Sequence, residues 1–173
     1  TIDGIIQLGD TGAKLLNKEN GLDSKDIISL FSDSENNLWI GSLSGVSKLI
    51  RNDFKFVRYE NFKGHFTNII GDETKLFVTS SEGLFKIENY NLIKSELGKS
   101  ITANVINHLY KDLDGNFWFS TENGVFRKSG HVVKNFTINN GLPHNFIYQI
   151  AVDKNNIAWV ATQRGLAYIK ANR

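Results

Sequence analysis

Cysteine is absent from the 173 residues, which excludes a disulfide framework and a thiolate metal site. Its absence does not identify a compartment. Proline occurs once, at Pro143, and turns fall instead to 15 glycines. No apolar run approaches the length of a membrane span, and the opening residues do not read as a signal peptide. Any segment that exports or tethers the protein is therefore expected outside this chain. A dominant charge is missing too. The net charge is +2 with the basic residues scattered, which points away from nucleic acid and from direct contact with an anionic membrane. With 40% hydrophobic and 22% charged residues, the composition is that of a soluble globular chain long enough to bury a core.

What the chain has instead is a repeat. Asp112–Val125 reads DLDGNFWFSTENGV; near-copies are DSENNLWIGSLSGV at Asp33–Val46 and DKNNIAWVATQRGL at Asp153–Leu166. A weaker copy, GDETKLFVTSSEGL, spans Gly71–Leu84. In each copy an aromatic residue precedes a glycine by six positions: Trp39/Gly45, Phe77/Gly83, Trp118/Gly124 and Trp159/Gly165. The aromatics are 38, 41 and 41 residues apart, the signature of a repeat architecture. Gly4 lies 41 residues before Gly45, so the chain opens inside a unit.

Each unit reads as short strands joined by tight turns. In the first full unit the predicted strands are Ile27–Phe31, Leu38–Ser42, Val46–Ile50 and Phe54–Tyr59. The Asp33–Asn37 cluster makes a turn, because Asp and Asn bond their own backbone and tolerate left-handed conformations. Ser44–Gly45 makes the next, with positive φ expected at the glycine. Residues 18–24 read as loop, and no helix of useful length is predicted. The expected division is residues 1–20 closing a blade, 21–60 a blade, 61–98 a divergent blade, 99–139 a blade and 140–173 an incomplete one. Four antiparallel strands per period of about 40 residues is a β-propeller pattern. Middle strands apolar on both faces fit blades stacked on one another, with the tryptophans filling the gap between blades. The predicted fold is therefore all-β: about four propeller repeats, part of a larger ring, since seven blades of this period need about 290 residues.

These residues resemble the two-component regulator propeller repeat, D-x-x-G/N-N-x-W-x-x-[ST]-x-x-G-[LV]. The flanking loops Asn20-Gly21-Leu22 and Asn140-Gly141-Leu142-Pro143 match as well, each glycine standing 18 residues before its tryptophan. The second copy departs, with Phe77 for tryptophan and Gly71 for aspartate. The resemblance implies a periplasmic input region of a hybrid two-component sensor, the kinase and transcription-regulating modules lying elsewhere. It implies an oligosaccharide ligand, a homodimer in the full-length protein, and packing against the remaining blades of the same protein.

The repeated aspartates offer one metal reading. Asp112-x-Asp114-x-Asn116 has the opening spacing of a calcium loop, but Phe117 stands where glycine is needed and Asn123 where glutamate is needed. An Asp/Asn-capped hairpin is the expectation. His65, His108, His131 and His144 show no metal-ligand spacing, and His108 falls in a strand as core or channel lining. No hydrolase elbow or phosphate loop occurs, so no cofactor, metal or catalytic residue is assigned and the segment is read as a non-enzyme. A propeller ligand site lies at one ring end, between loops entering the innermost strand and loops joining the second and third strands. Those loops supply His144 and Asn145, Glu122 and Asn123, and Gln163 and Arg164, whose side chains suit sugar hydroxyls. The competing reading of each is a solvated turn residue. A scaffold for a protein partner is the alternative function, and a propeller lyase or glycosidase, which would need convergent carboxylates or histidines, the third.

Overall fold

The computed structural model describes residues 3–9, 12–50, 53–57, 62, 64–71 and 75–170. They form antiparallel sheets in chain order. A hairpin of β1 (Ile5–Gly9) and β2 (Gly12–Leu16) comes first. The next sheet is β3 (Ile27–Ser32), β4 (Leu38–Ser42), β5 (Val46–Ile50) and β6 (Asp53–Val57); the last two residues expected in that fourth strand lie outside the described set. Then follow β7 (Phe66–Gly71), β8 (Leu76–Ser80), β9 (Gly83–Glu88) and β10 (Asn91–Lys94). The third full sheet is β11 (Ile106–Lys111), β12 (Phe117–Thr121), β13 (Gly124–Ser129) and β14 (Val132–Phe136). β15 (Ile147–Val152), β16 (Ile157–Thr162) and β17 (Gly165–Lys170) make a three-stranded sheet. Predicted strand limits agree to within one or two residues wherever both are described. The loop at 18–24 is less open than expected: it holds a one-turn 3-10 helix, Lys18–Asn20, and equivalents stand at Glu96–Gly98 and Ile138–Asn140.

The chain divides into two compact units, 1–80 with 85–94, and 81–84 with 95–173. In the first unit Trp39, Val46, Ile69, Val78 and Phe85 share a buried cluster between the β3–β6 and β7–β10 sheets. In the second, Trp118, Val125, Leu142, Ile147, Ile150 and Val160 do the same between the β11–β14 and β15–β17 sheets. Hydrogen bonds also cross this second seam. Asn107 Nδ2 donates to the Ile147 carbonyl at 2.7 Å, Tyr110 Oη to that of Val152 at 3.3 Å, and Asn156 Nδ2 to Asp114 at 3.1 Å.

The repeated motif resolves into a clamp. A buried indole N–H needs an acceptor. Trp39 Nε1 donates to Asp33 at 2.8 Å, Trp118 to Asp112 at 2.8 Å, and Trp159 to Asp153 at 3.1 Å. The same aspartates close the preceding turn, accepting from the backbone N–H of Asn37, Asn116 and Ile157. The turn residue in left-handed conformation is Asn36, Gly115 or Asn156. On the facing strand a cation covers the ring: Lys48 Nζ lies 4.9 Å from the Trp39 centroid and the Arg127 guanidinium 5.3 Å from that of Trp118. The divergent copy loses donor and acceptor together, which leaves nothing unsatisfied. At Gly71, where the others have aspartate, a Cβ would lie 2.8 Å from Leu76 and 3.0 Å from Phe31.

Two expectations are corrected. Trp118 is fully buried and Trp39 nearly so, but Trp159 is 42% exposed, because no described strand covers its face of the last sheet. Gly45 does not adopt positive φ, although Gly83, Gly124 and Gly165 do. Its turn is held by side chains instead: Ser42 Oγ bonds both Gly45 N and Gly45 O, and Ser44 Oγ donates to Asp23. At Gly124 the constraint is steric, since a Cβ there would collide with the Phe136 carbonyl of β14.

Burial sets the first expectation: Trp118→Ala lowers unfolding free energy by about 3–5 kcal/mol in urea titrations, and Trp159→Ala by well under half of that. Acid gives the second. Burial alone would raise the Asp112 pKa, but hydrogen bonds from Trp118 and Asn116 and the charge of Arg127 outweigh it and hold it below 3.8; Asp33 behaves likewise through Trp39, Asn37 and Lys48. A depressed carboxylate contributes stability that is present above its unfolded pKa and lost as pH falls through the folded one. Stability should therefore decline below about pH 4, and Asp112→Asn should be less stable at neutral pH with a flatter acid limb, both read from melts across pH.

Candidate functional site

The loop from Thr137 to Phe146 is built around a one-turn helix. Thr137 caps it by accepting from Asn139 N at 3.2 Å, and Asn140 Oδ1 returns a bond from Thr137 N at 2.9 Å. Gly141, at φ 95°, ends it in the left-handed conformation. Leu142 then turns inward and is buried with Trp118 and Ile147. The same device recurs at Asn17–Leu22, with Asn17 and Asn20 in the cap and Leu22 buried.

This loop joins two hairpins. The Asn145 carbonyl accepts from Gly124 N at 2.8 Å, and the Phe146 carbonyl accepts from Gln163 N at 3.0 Å. The first bond anchors the turn carrying Glu122 and Asn123, the second the turn carrying Gln163 and Arg164. The two hairpin turns carrying Glu122, Asn123, Gln163 and Arg164 are therefore both bonded to the loop that carries His144 and Asn145. Each hairpin is also closed by a threonine: Thr121 Oγ1 donates to Gly124 O at 2.8 Å and accepts from Asn123 N, while Thr162 Oγ1 donates to Gly165 O at 2.8 Å and accepts from Arg164 N. That role was visible as the repeated Ser or Thr three residues after the aromatic.

The six residues are not equally available to a ligand. Asn145 Oδ1 accepts from Ile138 N at 2.8 Å, so its carbonyl end is spent on the loop. His144 Nδ1 accepts from Phe146 N at 2.9 Å, which places the neutral ring's proton on Nε2. Ser24 occupies the corresponding place in the first unit and accepts from Asp26 N at 3.1 Å, so His144 is first of all a turn cap. Asn123, Gln163 and Arg164 are exposed and Glu122 is half-buried. The surface accordingly offers two amides, a carboxylate, a guanidinium and the outer edge of an imidazole. The carboxylate oxygens of Asp112, considered above for calcium, are occupied by Asn116 and Trp118.

Comparison with known proteins places the repeat. The two component regulator propeller family matches residues 21–44 and 141–164, each segment running from a loop glycine through an Asp–Trp clamp to the following turn. No curated protein sequence matches the chain. Among solved structures, the extracellular domain of the hybrid two component system BT4673 from B. thetaiotaomicron superposes with a TM-score of 0.82 at 19% identity, over 99% of this chain and 25% of that one. The extracellular domain of BT3049 from the same organism gives 0.80 at 23%, over 99% and 24%. Virginiamycin B lyase from Staphylococcus aureus gives 0.77 at 15%, over 99% and 61%. At these identities the likenesses establish the β-propeller fold. The chain spans about a quarter of the two B. thetaiotaomicron domains.

Exchange at the cap separates its two roles. His144→Ser, which restores the residue type of position 24, should leave the melting temperature within error of the parent. His144→Ala should cost about 1 kcal/mol, the net worth of one hydrogen bond, in denaturant titrations.

Proposed function

We propose that this chain, a β-propeller segment of the two component regulator propeller family, is part of the extracytoplasmic input region of a hybrid two-component sensor and contributes to binding an oligosaccharide. The observation that carries this reading is the match of two separate repeats to that family, each including the loop that enters an innermost strand. The extracellular placing of BT4673 and BT3049 supports a periplasmic site of action. Among the described residues no helix is long and apolar enough to cross a membrane.

The chemistry of the loop surface supports the ligand class. Sugar hydroxyls donate and accept at once, and amides, a carboxylate and a guanidinium answer both demands. Because Thr121, Thr162 and the backbone of 145–146 fix the two hairpins, the side chains of Glu122, Asn123, Gln163 and Arg164 are presented without ordering a loop at the moment of binding. Signalling further requires that the ligand bind two arrangements of the sensor with different affinity.

The remaining blades of the same protein are the proposed cover for the exposed face of the last sheet, where Trp159 and Tyr168 lie 6.0 Å apart. Dimerisation in the full-length protein is the accompanying proposal for signal output. The scaffold alternative would use that same aromatic face for a different protein, and the lyase shares only the fold.

Calorimetric titration of a glycan panel against the whole ectodomain tests the reading. A binding oligosaccharide should lose about tenfold or more in affinity with Arg164→Ala, the worth of a hydrogen bond from a charged group, without a change in melting temperature. A panel with no binder, or a binder indifferent to Arg164, Gln163 and Glu122 alike, overturns it.

A further inference from the structure

The third full sheet carries unsatisfied polar atoms on the face it turns to the last one. His108 on β11 lies directly opposite Ser120 on β12. His108 Nδ1 and Ser120 Oγ are buried, and neither has a hydrogen-bond partner among the described residues. Ser120 is fully buried. The equivalent pairs are Ser29 with Gly41, Asn68 with Thr79, and Gln149 with Ala161, so His108 brings the titratable group to a position otherwise neutral.

Strand alternation puts His108 and Ser120 on the same face as Tyr110 and Trp118, two residues along. Trp118 packs there with Ile147, Ile150, Ala158 and Val160 of β15 and β16. Asn107, the extra residue at the β11 register shift, reaches the Ile147 carbonyl beside His108. Among the described residues packed on this seam, none gives the imidazole a counter-charge. On β11 the Tyr110 hydroxyl is donated to Val152; β12 offers Ser120 and Trp118; β13 offers Arg127, itself a cation; and β15 and β16 offer apolar side chains. Asp112 lies four residues away and is held by Trp118 and Asn116.

We propose that His108 makes the seam between the β11–β14 and β15–β17 sheets a pH-sensitive latch: neutral, it lets β15 pack on β11, and protonated, it sets an unpaired cation against apolar side chains and loosens that packing. An isolated buried charge is costly because nothing replaces the water it loses. Burial accordingly lowers the His108 pKa from its ordinary 6.5. The sign follows from linkage. The unfolded chain takes up the proton first, so the stabilisation is complete above the unfolded pKa and is lost as pH falls toward the folded one. The loss begins at the unfolded imidazole pKa of about 6.5, before the aspartates of the Asp–Trp clamps start to protonate.

Hydrogen exchange of the β15 amides in the whole chain, corrected for intrinsic rates between about pH 7.5 and pH 5, is the test. Exchange should quicken several-fold toward the acid end in the parent. With His144→Ser in both proteins, so that the other imidazole beside β15 is replaced by the residue type of position 24, it should stay level in His108→Gln, which places at 108 the residue type that Gln149 has at the matching position. A level parent profile, or the same rise in His108→Gln, overturns the proposal. An imidazole NMR titration of the parent gives an independent reading: a midpoint for His108 at or above 6.5 overturns it as well.

Discussion

An indole cannot be buried cheaply until its N–H finds an acceptor, and in this protein that acceptor is an aspartate six residues earlier. The arrangement ties three features together. Asp112 closes the hairpin before β12, accepts a hydrogen bond from Trp118 Nε1, and is balanced by Arg127, which lies over the same ring. Trp118 is thereby free to enter the apolar seam with β15. The clamp is thus both a turn and a packing device, which is why Asp and Trp recur together. The second copy makes the same point in reverse, since Gly71 and Phe77 replace the pair as a pair.

The candidate site inherits its order from this scaffold. A sheet built on the clamp holds β12 and β13 in register, and Thr121 closes their hairpin. The incoming loop then joins that hairpin to its neighbour through the consecutive carbonyls of Asn145 and Phe146. The polar side chains at the tips are displayed by backbone that is already bonded. A binding surface of this kind pays little ordering entropy. The same seam carries His108, whose buried ring nitrogen is unsatisfied where the clamp's donor is not. Stability and responsiveness therefore sit on one face of one sheet.

Much of this was legible in the residues themselves. The spacing of Trp39, Trp118 and Trp159 revealed the blades, and Asp33–Asn37 and Asp112–Asn116 revealed their turns, because Asx chemistry is local. The loop residues 122–123, 144–145 and 163–164 could be grouped once the strand order was known. Their ranking could not. That His144 is a turn cap equivalent to Ser24, and that Asn145 spends its carbonyl oxygen on Ile138, depends on where a side chain points within its own loop. Gly45 was misread for a related reason: Ser42, Ser44 and Asp23 hold that turn, and Asp23 lies 22 residues from the glycine.

The repeat by itself determined that the chain forms short antiparallel sheets with an aromatic residue at each waist, because period, turn chemistry and strand patterning are properties of neighbouring residues. Tertiary structure alone decided how much each tryptophan is worth. Trp118 and Trp159 hold the same repeat position and make the equivalent aspartate bond, yet one is sealed and the other 42% exposed. The difference is whether a sheet lies across the face among the described residues, and burial is set by what lies opposite rather than by what lies next in the chain.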